Sequence, residues 1–355
     1  MHKKLALYPA TRDICAAARH KELFQGYSLA YIFSQQFMHL DGKDVSYYDG
    51  GNFADIMFTN YDEAKLAECD VLFVDYNQHI KDLDIYRGII DFASKMDLEV
   101  IVSRGLKNKL EDGSKKESFV ITQPSEKDQL FEIRVPVLSV LSAGPYTDQY
   151  AVELAIRKYL SEMGYKVTQV GSRGLSFAFG FNSIPGFLYE SGDAYGNILR
   201  FNRFVKDITE REQPDLLVMG VPGATMKYNN YLLNGIGVLP FMICSAVKSD
   251  ASVLCTYYNP YVNENFDSMS MHGNYKLDAP THFFNIANTT VSSKFTDGVF
   301  KMDYVDLDST FVLNGIRDEI NSSGHYLFNA LDSESAKNAC DAIIESLSGN
   351  ANYLR

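Results

Sequence analysis

Short apolar runs alternate with helix-like segments along the first third of the chain. Residues 4–8, 70–76 and 98–102 are nearly continuous apolar runs, the pattern of strands that are buried on both faces of a sheet. Between the last two runs, residues 83–96 carry apolar side chains at helical spacing. Strands that alternate with helices in this way favour a parallel sheet covered by helices.

The same alternation returns from residue 135 onward. The pattern predicts strands over 137–141, 165–170, 214–220, 251–257, 281–290 and 298–304, and helices over 152–163, 198–212, 239–248 and 333–347. A polar, charged stretch over 107–128 separates the two halves, and a surface hairpin around Asp112 is compatible with part of it. We therefore predict an α/β protein with two Rossmann-like or P-loop-like domains and mainly parallel sheets. The domains are predicted over 1–130 and 131–355, the second with an irregular C-terminal extension.

The length and composition agree with this organisation. A chain of 355 residues, 46% hydrophobic and 22% charged, is typical of a globular protein with two domains. No apolar run approaches the roughly 18 to 20 residues of a membrane span. The apolar stretch after Lys4 is too short for a signal peptide, so we expect a cytoplasmic protein that does not associate with membranes.

Charge and metal-ligand spacing argue against two further classes of function. The net charge of −12 disfavours nucleic-acid binding, which relies on a basic surface. The five cysteines and seven histidines show neither CxxC nor HExxH spacing, so we expect no metal site and no disulfide framework. Cys244 and Cys255 lie in apolar surroundings and are predicted to be core residues.

The most informative segment is the strand, loop and helix that begin at Val137. The apolar run is followed by the small, turn-prone loop 142–149 and then by an amphipathic helix that Gly164 ends. This order can present the N–H groups of a helix N-terminus to an anion, so a nucleotide or phosphate is the candidate ligand. The alternative is an ordinary turn in which Asp148 caps the helix.

The segment departs from a working P-loop in two places. The lysine that reaches the outer phosphates is missing, and Gln149 stands about where it should be, with the hydroxyl of Thr147 before it. The strand over 214–220 should end in an acidic residue for magnesium but continues instead as Val221-Pro222-Gly223. Both departures weaken the prediction of a nucleotide hydrolase.

Four loops of the second half follow predicted strands, and parallel strands would bring all four to one sheet edge. They span 143–149, 171–174, 220–224 and 257–260. The candidate anion-binding residues are Gly144, Thr147, Asp148, Gln149, Ser172, Arg173, Pro222 and Gly223, with Arg104 as a secondary candidate. The tetrapeptide Ser-Arg-Gly-Leu occurs at 103–106 and again at 172–175. For each arginine, a ligand role and a structural salt bridge both remain open.

The segment 175–186, together with Phe187 directly after it, is rich in aromatic residues and glycine. One interpretation is a core loop. The other is an apolar wall beside the anion loop, where a peptide side chain or a base would rest.

The second domain resembles a family of clostridial peptide maturation system proteins, whose genes accompany radical-SAM enzymes. The resemblance rests on Val140–Asp148, Gly164–Val167, Gly171–Arg173, Phe179–Phe181, Pro185 and Pro214–Gly223, and covers most of residues 135–260. Members of that family tend to carry Thr-Asp-Lys where this chain has Thr147-Asp148-Gln149. The resemblance implies a role in maturing a ribosomally made peptide, with a precursor peptide and a radical-SAM enzyme as partners. It implies no reaction and no catalytic residue.

Three functions follow as hypotheses. The first is an accessory protein of peptide maturation that binds a precursor peptide, a partner enzyme or an anionic ligand at the strand-end loops of the second domain. The second is a nucleotide-dependent ligase or kinase with an unorthodox phosphate loop. The third is a small-molecule binding or sensor protein.

Overall fold

The computed structural model describes residues 2–110, 129–190, 193–259, 263–296, 299–319 and 324–351. The chain divides into two compact units. The first comprises Met1–Lys116 together with Arg173–Ser183, and the second comprises Glu117–Ser172 together with Ile184–Arg355. The segment 173–183 thus belongs to the first unit, although it lies far along the chain. The predicted boundary near residue 130 stays a prediction, and the hairpin predicted around Asp112 lies outside the described residues.

The first unit contains one parallel sheet. Its strands, numbered along the chain, are β1 (Lys3–Tyr8), β2 (Tyr27–Ser34), β3 (Phe58–Asn60), β4 (Val71–Val74) and β5 (Glu99–Val102), and the unit also holds the two-residue β8 (Asn182–Ser183). Its helices are α1 (Arg12–Arg19), α2 (Ser46–Asp49), α3 (Glu63–Leu66), α4 (Leu83–Lys95) and α5 (Arg104–Leu110). The first five strands pair in the order β3-β2-β1-β4-β5, which is the Rossmann order.

Apolar burial explains why the central strands of the first unit form. All four residues of β4 are buried, as are the last four of β1, so helices must cover both faces of the sheet. Helix α1 begins where the Thr11 side chain accepts a hydrogen bond from the N–H of Ile14, and it buries five consecutive residues from Ile14 to Ala18. Helix α4 packs Tyr86, Ile89 and Ala93 into an apolar cluster with side chains of β1 and β4.

The second unit contains a larger parallel sheet. Its strands are β6 (Val137–Ser142), β7 (Val167–Gly171), β9 (Leu216–Ala224), β10 (Ala251–Thr256), β11 (Thr281–Ile286) and β14 (Tyr326–Phe328), in the order β14-β11-β10-β6-β9-β7. Every pairing along this order is parallel. The helices are α6 (Gln149–Glu162), α7 (Ala194–Glu212), α8 (Val238–Ala246), α9 (Asn263–Leu277), α10 (Ser309–Glu319) and α11 (Ser333–Ala351). Helices α6 and α11 cover one face, and α7 to α10 contribute to the core on the other.

Two strands of the second unit stand apart from this sheet. Strands β12 (Thr289–Thr296) and β13 (Val299–Asp306) pair antiparallel over eight residue pairs and form a two-stranded sheet of their own. The sequence predicted extended structure in this region but not the antiparallel pairing. The hairpin begins just after β11, so it rises from the carboxyl edge of the parallel sheet.

The structure confirms the predicted fold class, an α/β protein with two Rossmann-like units and mainly parallel sheets. Strands β2 and β3 were not predicted. In β2 only the last three residues are buried, so its sequence lacks the continuous apolar run of a central strand. Cys244 and Cys255 are buried, as predicted. Among the described residues, no helix is long and apolar enough to cross a membrane.

The aromatic segment after Arg173 has a core role inside the first unit. Residues Gly174–Phe179 form a 3₁₀ helix. The Phe177 ring contacts those of Tyr27 and Phe73, and the Phe179 ring contacts that of Phe24, with centroids 4.9 to 5.9 Å apart. Of the two interpretations of this segment, the contacts support the core loop.

Candidate functional site

The loop between β6 and α6 closes on itself through hydroxyl groups. The Thr147 hydroxyl lies 2.8 Å from the Ser142 hydroxyl and donates to the carbonyl of Gly144 at 3.1 Å. The Ser142 oxygen accepts from the N–H of Gly144 at 3.1 Å. Both hydroxyl side chains are buried. These groups stabilise the turn itself, so the hydroxyl that the sequence offered to a ligand is used inside the loop.

Gln149 points into the sheet rather than into the loop. It is the first residue of α6, its side chain is 3% exposed, and its Nε2 atom donates to the carbonyls of Val140 and Val221 at 2.8 and 2.7 Å. The register between β6 and β9 shifts at this point, and the amide bridges the two strands across the shift. The side chain is therefore directed at the two strands, and an anion-binding role for Gln149 stays a prediction.

Asp148 fastens the loop to a neighbouring strand end. Its backbone is left-handed, with φ of 56°, and its carboxylate accepts from the N–H of Asn288 at 2.9 Å. The residue occupies the N-cap position of α6, as the plain-turn interpretation expected, but its side chain makes no capping hydrogen bond. The carboxylate thus ties the β6–α6 loop to the loop between β11 and β12.

Ser172 hydrogen-bonds to a buried carboxylate, that of Glu153, which was not among the predicted site residues. Its N–H donates to the Glu153 carboxylate at 3.1 Å, and its hydroxyl makes a second hydrogen bond to the same group. Glu153 is fully buried, and a Cβ atom on Gly220 would lie 2.2 Å from one of its oxygens. Only glycine at 220 leaves room for this carboxylate beside β9. A signal existed, because Glu153 lies one helical turn after Gln149 and is flanked by apolar residues.

Pro222 and Gly223 lie near the end of β9, where the register has shifted. Pro222 is buried, and Gly223 is exposed with φ of 89°. A Cβ atom added to Gly223 would lie 3.5 Å from the ring of Pro240, which is an ordinary van der Waals distance. Thr225, just beyond the strand, donates its N–H to the carbonyl of Ser142 at 2.8 Å and so joins the two strand ends.

The two candidate arginines belong to the first unit. Arg173 donates from Nε to the Asp13 carboxylate at 2.7 Å, and Arg104 begins α5. The two Ser-Arg-Gly-Leu segments are neighbours there, because a Cβ on Gly174 would lie 3.8 Å from the Cα atom of Ser103. Arg173 thus makes a salt bridge within the first unit, and a ligand role for either arginine stays a prediction.

Tyrosine rings surround the β6–α6 loop at the carboxyl edge of the second unit. The Tyr304 ring of β13 contacts those of Tyr146 and Tyr257, with centroids 4.7 and 6.1 Å away. Burial raises the pKa of Tyr304, while a hydrogen bond with Tyr257 opposes that shift. Gly144 approaches the same cluster so closely that an added Cβ would lie 2.2 Å from the Tyr257 hydroxyl. The hairpin therefore packs directly on the loop.

No group of three His, Cys, Asp or Glu side chains among the described residues is arranged to hold a metal ion. The edge instead offers backbone groups, buried hydroxyls and phenol rings.

The fold has a solved counterpart. No protein-family model and no curated protein sequence matches the chain. The structure is similar to the crystal structure of a DUF1611 family protein from Anabaena variabilis, with a TM-score of 0.57 and 10% identity over 98% of this chain and 99% of that chain. At this identity the similarity shows a shared fold and nothing about activity.

Two ligases align with lower scores. One is a pseudomurein peptide ligase type C from Methanothermus fervidus, with a TM-score of 0.28 and 9% identity over 83% of this chain and 52% of that chain. The other is the Helicobacter pylori folylpolyglutamate synthetase, with a TM-score of 0.25 and 13% identity over 61% of this chain and 57% of that chain. Both scores are too low to indicate a common fold. The resemblance to peptide maturation proteins stays a hypothesis.

Proposed function

We propose that the protein binds an extended peptide at the carboxyl edge of its second unit and acts as an accessory protein in maturing a ribosomally made peptide. The observation that carries the binding proposal is the β12–β13 hairpin. Among the described residues, its two strands pair only with each other. Unpaired strand edges offer N–H and C=O groups that an extended peptide can match by strand addition.

The side chains of the hairpin support the same proposal. Phe295 of β12 faces Phe300 of β13, and the Phe300 ring stacks on that of Tyr231 with centroids 4.4 Å apart. Tyr231 is 71% exposed and Phe295 is 65% exposed. Exposed aromatic side chains that lie together are typical of interaction sites and give large contact area at low entropic cost. An edge with such residues beside it can bind both the backbone and the apolar side chains of a peptide.

A nucleotide or phosphate at the β6–α6 loop is the alternative ligand. The N-terminus of α6 follows the loop directly and carries the partial positive charge that favours anions. The contacts of Gln149 and Thr147 support this alternative less, since both side chains are engaged within the protein. The maturation role itself rests on the resemblance of residues 135–260 to peptide maturation proteins.

Fluorescence anisotropy with labelled precursor peptides encoded beside the gene tests the proposal. We expect the double variant Tyr231→Ala/Phe295→Ala to bind at least about tenfold more weakly, which corresponds to about 1.4 kcal/mol. Phe53→Ala is the matched control, because Phe53 is a similarly exposed phenylalanine of the first unit. Equal affinity of the double variant and the wild type, or no binding of any such peptide, would contradict the proposal.

A further inference from the structure

The second unit has a cavity at the amino edge of its parallel sheet, away from the carboxyl edge that carries the β12–β13 hairpin. The cavity lies beside the starts of β6 and β10, since Asp250, which lines it, directly precedes β10 and accepts from the N–H of Val137 at 2.8 Å. All of its lining residues belong to the second unit. Its volume of about 680 Å³ is in the range of sites for small molecules.

A buried amide fixes one wall of this cavity. Asn202 of α7 accepts from the N–H of Phe131 at 2.7 Å and donates to the carbonyls of Phe131 and Ala246 at 3.0 and 2.8 Å. The segment 130–133, which lines the cavity, is thereby tied to the last residue of α8. Hydrogen bonds from the core of the unit therefore hold the wall in place.

Two helices have their C-terminal ends at the cavity. Ala246 is the last residue of α8, Leu277 is the last residue of α9, and both line it. The last carbonyl groups of a helix have no partner within the helix and carry a partial negative charge. Among the described residues, no group donates a hydrogen bond to the carbonyl of Cys244 or Ser245, two lining residues in the last turn of α8. This end of the cavity therefore offers hydrogen-bond acceptors.

Carboxylates add to the negative character of the cavity. Glu132, Asp250 and Asp278 line it. Glu132 also pairs at 3.2 Å with Arg134, which is not a lining residue. The charge of Asp278 acts on the cavity wall, because burial and this charge raise the pKa of the lining thiol of Cys244 to about 12.

Two lysines line the cavity but balance this charge only in part. The ammonium group of Lys276 donates to the carbonyls of Ile236 and Thr225 at 2.9 and 3.4 Å, and neither of these acceptors is a lining residue. The Lys248 side chain is 74% exposed, and its ammonium group lies 3.8 Å from the Asp278 carboxylate. Three carboxylates and two helix ends therefore outweigh the one ammonium group at the rim.

Aromatic side chains supply a second kind of surface for a cation. Phe241 and Tyr275 line the cavity and are 47% and 88% exposed. The face of an aromatic ring attracts cations and also covers apolar groups. The neighbouring Phe131 ring shows this attraction within the unit, since Arg203 and Lys206 lie over it at 5.5 and 5.2 Å. A cation with an apolar body thus matches both the rings and the acceptors.

We propose that this cavity binds a small amphipathic amine, whose ammonium group bonds the last carbonyls of α8 beside Asp278 while its apolar body packs against Phe241 and Tyr275. An ammonium group brings three donors and a positive charge, which carbonyl and carboxylate oxygens accept. A carboxylate or a phosphate would bring acceptors and a like charge. The cavity and the hairpin lie at different edges of the sheet, so this inference does not rest on the peptide site.

Calorimetric titration with three ligands that share one apolar body tests the inference. The ligands are 4-phenylbutylamine, 4-phenyl-1-butanol and 5-phenylpentanoate, at neutral pH and matched ionic strength. We expect the amine to bind at one site, at least about threefold more tightly than the alcohol and at least about tenfold more tightly than the carboxylate. The order of the three affinities reports which charge the cavity accepts.

Two variants locate the bound amine. Phe241→Ala should weaken its binding at least about threefold, because the ring is lost. Asp278→Asn should weaken the amine about two- to fivefold and leave the alcohol unchanged, because only a charge is removed. Phe37→Ala is the control for the ring, since Phe37 is 52% exposed in the first unit. Asp97→Asn is the control for the charge, because both aspartates are exposed and left-handed, with φ of 57° at Asp97 and 47° at Asp278.

Several results would overturn the proposal. Equal affinities for the three ligands would mean that only the apolar body is recognised, and a preference for the carboxylate would reverse the sign of the site. Unchanged amine binding in Phe241→Ala or in Asp278→Asn would leave only an unspecific attraction to a chain of net charge −12. No saturable binding of the amine would overturn it as well. Both substituted side chains are exposed, so unfolding of the variants at the wild-type temperature is expected and shows that a loss of binding is local.

Discussion

Gln149 donates a hydrogen bond from its side-chain amide to the main-chain carbonyl of Val221 at 2.7 Å, and the same nitrogen reaches the carbonyl of Val140. The two acceptors lie on β9 and β6, where the register between the strands shifts. One side chain therefore takes the place of ladder hydrogen bonds that the shift removes. The residue that stands where a phosphate-binding lysine is expected therefore begins α6 and holds two strands of the sheet together with its side chain.

Removing this amide should destabilise the second unit. We expect Gln149→Leu to lower the free energy of unfolding by about 1 to 3 kcal/mol, because two buried carbonyls lose their donor. Urea denaturation measures the change. Gln78→Leu, at an exposed position, is the control and should stay within about 0.5 kcal/mol of the wild type. If Gln149→Leu unfolds at the same urea concentration as the wild type, the amide contributes nothing to stability.

Introducing a lysine at position 149 should not create a nucleotide-binding site. In Gln149→Lys the new side chain begins from a position that is directed into the sheet, so its ammonium group is expected to bond the carbonyls of Val140 and Val221 rather than a phosphate. Calorimetric titration with ATP and magnesium should therefore give no heat of binding for the variant or the wild type. Saturable ATP binding by Gln149→Lys alone would disprove this placement.

Gly220 on β9 is a second position that matters for packing, because it lies against the buried side chain of Glu153. Its Cα faces the Glu153 carboxylate so closely that Gly220→Ala must displace it, and we expect a loss of about 1 to 3 kcal/mol in urea denaturation. Gly88→Ala is the matched control, because nothing lies within 4 Å of the added methyl group in the middle of α4. That change should be neutral or stabilising by up to about 1 kcal/mol.

A double-mutant cycle identifies the cause of that loss. If the carboxylate is what the methyl group meets, Gly220→Ala should cost less in a Glu153→Ala background, with a coupling energy of about 0.5 kcal/mol or more. Additive losses would mean that the methyl group is opposed by something other than Glu153.

The sequence predicted the elements around the loop better than the directions of their side chains. The strand at Val137 and the helix after Asp148 follow from local patterns, a continuous apolar run and helical periodicity ended by Gly164. The direction of Gln149 depends on a register shift with β9, and its second acceptor is 72 residues away. No local pattern carries that information.

Arg173 shows the same limit. Its position directly after β7 suggested a ligand role, which stays a prediction, but the sequence did not predict that the chain joins the first unit at this residue. The reason lies in the rings that follow, because Phe177 and Phe179 pack against Tyr27, Phe73 and Phe24. Those partners come from distant parts of the chain, so an aromatic run alone could be a core segment or a ligand wall.

Asp75 should make stability depend on pH in a direction that can be checked. Its pKa in the folded protein is raised above the ordinary value of 3.8, so the folded state holds this proton more tightly than the unfolded chain. The stability that the group contributes is complete below about pH 3.8 and is lost as the pH rises through its folded pKa. Asp75→Asn should therefore be more stable than the wild type at neutral pH.

The gap between Asp75→Asn and the wild type should close as the pH falls toward 3.8, and urea denaturation at several pH values measures it. Asp91→Asn is the control, since that exposed change on α4 should leave a small and constant difference. If Asp75→Asn is instead less stable at neutral pH, the hydrogen bonds from Thr11 and Tyr76 stabilise the ionised carboxylate more than burial and Asp13 disfavour it.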